Sequence, residues 1–350
     1  MHLTSLVSLV RLAFIALVAS ACSPEPNDQV AAPDAAAPRA PLDPSGTFVA
    51  HSTYALAAPP PQLAPLLAEL SAATDGIDDP SGYLVDLVVA ELPEGTARTI
   101  GSALAPYVAW YVNSRLSEFA PTFVPSVRAM ATGAQRIATR FGTIEELRIV
   151  ADGEAKTDVS VAPPRTARVR RTIVGAQFDE VAMHFDDLGL PDATIDTNAS
   201  VETFASSRVP DQLAIATHEV SVPFAAWFRA GFDRAVVPTV VPGATDLASA
   251  LRTLVSCPRL GVLIAEALEV GSPSLYAQAC SLGLGVGARA IYERFPSATD
   301  AQRYRLVLTG SATALDYDKD GVMDSIADGT WTGRLDDTAV GAAFFDGASR

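Results

Sequence analysis

The apolar residues of this 350-residue chain change period three times. That restricts it to folds that lay down helices and strands in separate blocks. Over 61–140 they recur every three or four positions, as at Leu63, Leu66, Leu67 and Leu70. Asp79-Pro80 starts a helix carrying Leu84, Leu87, Val88 and Leu92, and a longer helix is predicted over Thr96–Phe119, with Pro106 as a kink. In that helix Leu104, Val108, Tyr111, Val112 and Leu116 share one face while Trp110 lies off it, so apolar contact is expected on two sides. Over 143–222 the period is two, with Leu147 and Ile149 on one parity. Leu213 and Ile215 hold one parity and Val220 and Val222 the other, so a bulge or strand break is predicted near His218-Glu219.

Helical spacing returns over 223–295 through Trp227, Phe228 and Phe232, with Asp246 as an N-cap and Pro273 opening a last helix. The final block, 303–347, alternates again. Tyr304, Leu306, Leu308, Ala312 and Ala314 take the even positions, and Trp331 and Leu335 the odd ones. The expected fold is a single α+β body over 61–350: apolar helices packed on an antiparallel, curved sheet, with a C-terminal β-hairpin.

Residues 1–21 read as a signal peptide: Arg11, the apolar run Leu12–Val18, then Ala19-Ser20-Ala21. The apolar run is too short to span a bilayer. A cysteine directly after small residues resembles the bacterial lipobox, with Ala19 where Leu or a β-branched residue is usual. The resemblance implies cleavage before Cys22, lipidation of its thiol and a membrane anchor. Ser23 after the cysteine implies the outer membrane by the sorting rule of such lipoproteins. Residues 22–60 are rich in Pro and Ala and read as a tether.

Forty acidic against 25 basic residues give a net charge of −15, which excludes a phosphate-backbone surface of the nucleic-acid-binding kind. Cys257 and Cys280 are an even pair in an exported chain and predict a disulfide closing a 24-residue loop. The entropy model values such a bridge at roughly 3 kcal/mol.

The most specific motif is Asp316-Tyr317-Asp318-Lys319-Asp320-Gly321-Val322-Met323-Asp324. Carboxylates at positions 1, 3, 5 and 9 with Gly at 6 can wrap a short loop around Ca²⁺, the Val322 carbonyl completing the ring. Position 12 is Ala327, not the acid an EF-hand needs, and the flanks read as strands. The nine residues resemble the strand-loop-strand calcium sites of integrin α-subunit propellers. The alternative is a solvated acidic turn, in which four close carboxylates repel one another.

His218-Glu219 lacks the second histidine of a zinc-protease helix, and His184, before Asp186-Asp187, reads as structural. The Gly283–Ala288 run lacks dinucleotide spacing and reads as close helix packing. No nucleophile elbow or phosphate loop is present. Gly329-x-Trp331 is similar to the lipocalin signature, which in that family lies near the first strand.

His218–Phe224, the two cysteines, the acidic loop, Gly329–Gly333 and the Phe-rich end together resemble a group of uncharacterised bacterial envelope lipoproteins over about 212–347. That group carries no activity to transfer. The expected function is a membrane-anchored, non-catalytic envelope lipoprotein with a calcium-stabilised hairpin, docking an envelope protein or serving structure. The alternative is a protein that binds lipid or another apolar ligand, its cavity lined by the helix around 104–116. A hydrolase is the third reading and would need a cleft joining a histidine to an acid and a nucleophile.

Overall fold

In a computed structural model, the described residues are 42–350 except 69–79, 93, 154–162, 205–208 and 295–302. The signal peptide, Cys22 and residues 22–41 lie outside them.

Among the described residues there are nine strands: β1 (Gly46–Leu56), β2 (Arg140–Ala151), β3 (Arg165–Phe178), β4 (Val181–His184), β5 (Ala193–Glu202), β6 (Asp211–Val222), β7 (Tyr304–Leu315), β8 (Ser325–Leu335) and β9 (Thr338–Ser349). They form one antiparallel sheet in the order β2-β1-β9-β8-β7-β6-β5-β3-β4, and β2 also pairs with β3. Eight strands therefore close on themselves, with β4 an extra strand hairpinned onto the end of β3.

This closed barrel overturns the expected open, curved sheet with a separate C-terminal hairpin. The supposed hairpin supplies three adjacent staves, since β7 pairs with β6 and β9 pairs with β1. Phe48 aligns with Ser349 and Ala55 with Ala342. Such pairing joins residues nearly a chain length apart, which hydrophobic period does not encode. Closure removes every unpaired strand edge from the ring. The body also starts earlier than the Pro-rich composition suggested, because Gly46–Leu56 within the assigned tether is the first stave.

Between its bulges, each stave points one parity inward. Phe48, Ala50, Leu147, Ile149, Val169, Leu213, Leu306, Leu308 and Phe345 are buried. The opposite parity carries His51, Thr53, Arg148, Arg168, Arg170, Asp196, Thr309 and Thr332, all exposed. An apolar inside and polar outside is the reverse of a barrel that faces lipid.

Two insertions, between β1 and β2 and between β6 and β7, place the helices at one end of the barrel. The first holds α1 (Pro80–Ala90), α2 (Thr96–Ser114), α3 (Leu116–Phe119) and α4 (Phe123–Thr139). The second holds α5 (Phe224–Gly231), a π-helical turn Phe232–Val236, α6 (Val237–Val240), α7 (Leu247–Leu254), α8 (Cys257–Leu268) and α9 (Pro273–Arg294). Asp246 caps α7 as expected, its carboxylate accepting from the Ser249 N–H at 2.7 Å. Helices α4 and α5 stop the barrel mouth, with the Phe224 ring tilted against Phe141 (4.8 Å) and edge-on to Tyr304 (5.5 Å). Beyond them α1, α2, α8 and α9 pack as a four-helix layer. The Cys257–Cys280 disulfide ties the start of α8 to α9, with Cα atoms 5.6 Å apart. The opposite end is closed by Leu42 and Met323, both buried.

Candidate functional site

The acidic loop joins β7 to β8 at the end opposite the helices. The Asp324 N–H donates to the Leu315 carbonyl at 2.8 Å and closes the turn. Asp316 accepts from the Lys319 and Gly321 N–H groups (2.7 and 3.1 Å), and Asp324 from Tyr317 (2.7 Å). The turn needs left-handed backbone at Lys319 (φ 64°) and Gly321 (φ 86°), which glycine supplies without cost.

These bonds gather one carboxylate oxygen each from Asp316, Asp318 and Asp324 within 4.8 Å of one another. Such a trio can coordinate a metal ion. Asp320 is not in the trio, and its carboxylate accepts from the Val322 N–H at 2.8 Å. Asp318 accepts a backbone hydrogen bond from Asp320, which lowers its pKa. Partial loss of hydration and the charges of Asp320, Asp324 and Asp316 outweigh that bond and raise it.

The loop also holds the incoming chain. The Asp43 N–H donates to the Gly321 carbonyl and the Met323 N–H to the Asp43 carbonyl, both at 2.8 Å. Asp43 further accepts from Arg165 at 3.0 Å. The acidic loop is thus built into the point where residues 42–45 enter the barrel.

A second cluster crosses the barrel interior. Arg171 of β3, fully buried, donates from Nε and Nη2 to the two Glu145 carboxylate oxygens, each at 2.7 Å. Its Nη2 also reaches the Tyr54 hydroxyl at 2.7 Å. Its guanidinium lies 4.7 Å over the Trp331 ring, which stacks on Phe345 at 4.3 Å. Gly310 makes room for that indole: a Cβ there would stand 2.4 Å from Cζ3 of Trp331.

The Nη1 of Arg171 is 2.8 Å from Nε2 of His218. A guanidinium only donates, so Nε2 accepts and the imidazole is neutral, with Nδ1–H donating to the Ala216 carbonyl at 2.9 Å. Burial, then the Arg171 charge, lowers the His218 pKa. The register shift between Ile215 and His218 is the bulge that the parity switch predicted, and it turns His218 inward. Arg171, Glu145 and Tyr54 were not singled out from the sequence. A charged residue on the inward parity of β2 and another on that of β3 were the available signal. His184 sits exposed at the end of β4, apart from this cluster.

The contact expected on two sides of the apolar helix is found on one side only, because the side that carries Trp110 faces solvent. Val108 and Val112 of α2 are buried, whereas Leu104, Tyr107 and Trp110 are exposed, Trp110 by 67%. Tyr107 and Trp110 contact each other at 6.2 Å. No formal charge occurs between Arg98 and Arg115.

The chain matches no family of proteins, no curated protein and no solved structure.

Proposed function

We propose that this is a non-catalytic binding protein of the cell envelope that takes a lipid or other apolar ligand, anchored through Cys22 and braced by calcium at the β7–β8 loop. The observation that carries the reading is the uncharged, exposed Leu104-Tyr107-Trp110 stripe on α2. Aromatic side chains exposed on a helix without charge suit the boundary between water and acyl chains. The closed barrel with its aromatic interior is the rigid support, and eight-stranded barrels can also hold one small ligand. The neutral, doubly bonded His218 favours binding over hydrolysis.

Trp227 and Trp331 are buried, so the third tryptophan, Trp110, reports on the stripe. Phosphatidylcholine vesicles with brominated acyl chains are expected to quench Trp110 emission, and Trp110→Phe to remove the quenching. Quenching that survives in the variant would move the ligand into the barrel beside Trp331. No quenching in either protein would end the apolar-ligand reading.

Calcium is the second element. The Asp316, Asp318 and Asp324 oxygens are its ligands, with Asp320 and the Val322 carbonyl available after the loop tightens. At ten times the dissociation constant, linkage gives about 1.4 kcal/mol, a melting shift of roughly 2 °C in a body of this size. Asp318→Asn should abolish the shift. If the loop is only an acidic turn, Asp318→Asn will instead stabilise the protein equally in calcium and in chelator.

The anchor rests on the residues before Cys22. Cys22→Ser should release the protein from membranes into the soluble fraction. Membrane partitioning unchanged from wild type would refute the lipid anchor.

A further inference from the structure

Helices α5, α7 and α9 border a groove of about 740 Å³. Each helix contributes one arginine: Arg229, Arg252 and Arg289. All three are exposed. Neither Arg252 nor Arg289 has an ion-pair or hydrogen-bond partner among the described residues, although the chain carries 15 excess negative charges. Arg229 lies 4.5 Å over the Tyr292 ring and feels the Asp233 charge.

The nearby acids do not neutralise the groove. Asp246 caps α7. Asp233, carried on the π-helical turn, is held by the Tyr292 hydroxyl, and burial pushes its carboxyl up to about 6. The Tyr292 hydroxyl also accepts from the Leu247 N–H at 2.9 Å, so this side chain ties the three helices into one wall. Glu293 alone lines the groove as an uncommitted carboxylate among the described residues.

Gly285 forms part of the floor. A Cβ there would lie 3.2 Å from Nη2 of Arg252 and meet nothing else within 4 Å, so the glycine lets that guanidinium lie across α9. One face of α9 then runs from apolar to cationic: Leu282 and Val286, 59% and 47% exposed, precede Arg289.

We propose that this groove binds a phosphate group, with Arg229, Arg252 and Arg289 as its donors and Leu282 and Val286 receiving an apolar substituent. Planar guanidinium forks match phosphate oxygens pairwise, and three of them around one space suit a group with several charged oxygens. The α2 stripe plays no part in this assignment, so the two readings fail separately.

The test uses the purified full chain. Calorimetry with inorganic phosphate measures the shared chemistry. Flotation with phosphatidylcholine vesicles, with and without 30% phosphatidylglycerol, measures the lipid source. Phosphate should bind, and Arg252→Gln with Arg289→Gln should weaken it at least tenfold. Gly285→Leu, which fills the floor without changing charge, should weaken it similarly. Arg148→Gln with Arg334→Gln, the same charge change on the barrel's outer face, should leave binding intact. Stronger flotation with phosphatidylglycerol, lost in the groove variants, identifies a phospholipid. Phosphate binding without that increment identifies a soluble phosphate ester. The proposal is overturned if phosphate does not bind, or if the barrel-face variant loses as much as the groove variants.

Discussion

Deletion of residues 338–350 is expected to leave a chain that no longer melts cooperatively. The deletion removes β9, the stave between β8 and β1. It uncovers Trp331, which stacks on Phe345, and leaves two strand edges unpaired across the middle of the hydrophobic interior. Loss of one fully buried Phe alone costs about 3–5 kcal/mol. Added to a lost two-sided ladder, that exceeds much of the roughly 5–15 kcal/mol by which a folded domain is stable. Circular dichroism on heating, with dye binding to exposed apolar surface, checks this. An open curved sheet would tolerate losing its terminal strand, so a cooperative melt near that of the full chain would overturn the closed barrel.

Arg171→Met should be the most damaging single substitution of the barrel interior. It leaves Glu145 buried with no opposing charge, and breaking a buried pair this way costs about 3–5 kcal/mol. In a body of this size the melting point should fall by roughly 6 °C. Adding Glu145→Leu should recover most of the loss, because a well-packed apolar pair needs no desolvation. Urea denaturation of wild type, Arg171→Met, Glu145→Leu and the double variant measures the coupling, and single-variant losses that simply add in the double would show that the pair does not interact.

The same cluster sets a pH dependence. Burial by itself would raise the Glu145 pKa, but the Arg171 charge and hydrogen bonds from Arg171, Thr143 and Ser52 outweigh it and hold the carboxyl below its ordinary 4.5. A lowered folded-state value means stability that is present above the unfolded pKa and lost as pH falls through the folded one. His218, also lowered, has the same sign, its contribution present above about 6.5 and fading below. Acid should therefore destabilise the wild type more steeply than the Arg171→Met, Glu145→Leu variant.

The local period was legible because it depends only on neighbours in the chain. The even parity of Tyr304–Ala314 is the buried face of β7, Asp246 caps its helix, and Pro273 opens α9. The bulge before His218 was visible as a break in parity, since a slipped strand must turn its apolar set around. The disulfide followed from the two cysteines that remain once Cys22 is assigned to lipid in a chain read as exported.

Closure itself, and the company each inward residue keeps, were decided only in three dimensions. Arg171 faces Glu145 from 26 positions away and His218 from 47, and Trp331 meets Ser52 across 279. The acidic loop told the same story at its own scale. Its carboxylates and glycine lie within nine residues, so the turn was readable, but which carboxylates converge depends on how the folded loop aims each one. Asp320 is drawn to Val322 while Asp316, Asp318 and Asp324 come together. The sequence by itself determined periods, caps, the turn and the cysteine pair, all set by local backbone geometry or by count. The tertiary structure decided the ring, the buried Arg171–Glu145 pair and the groove of three arginines. Those depend on which faces meet once non-local strand pairing and helix docking have removed apolar surface from water.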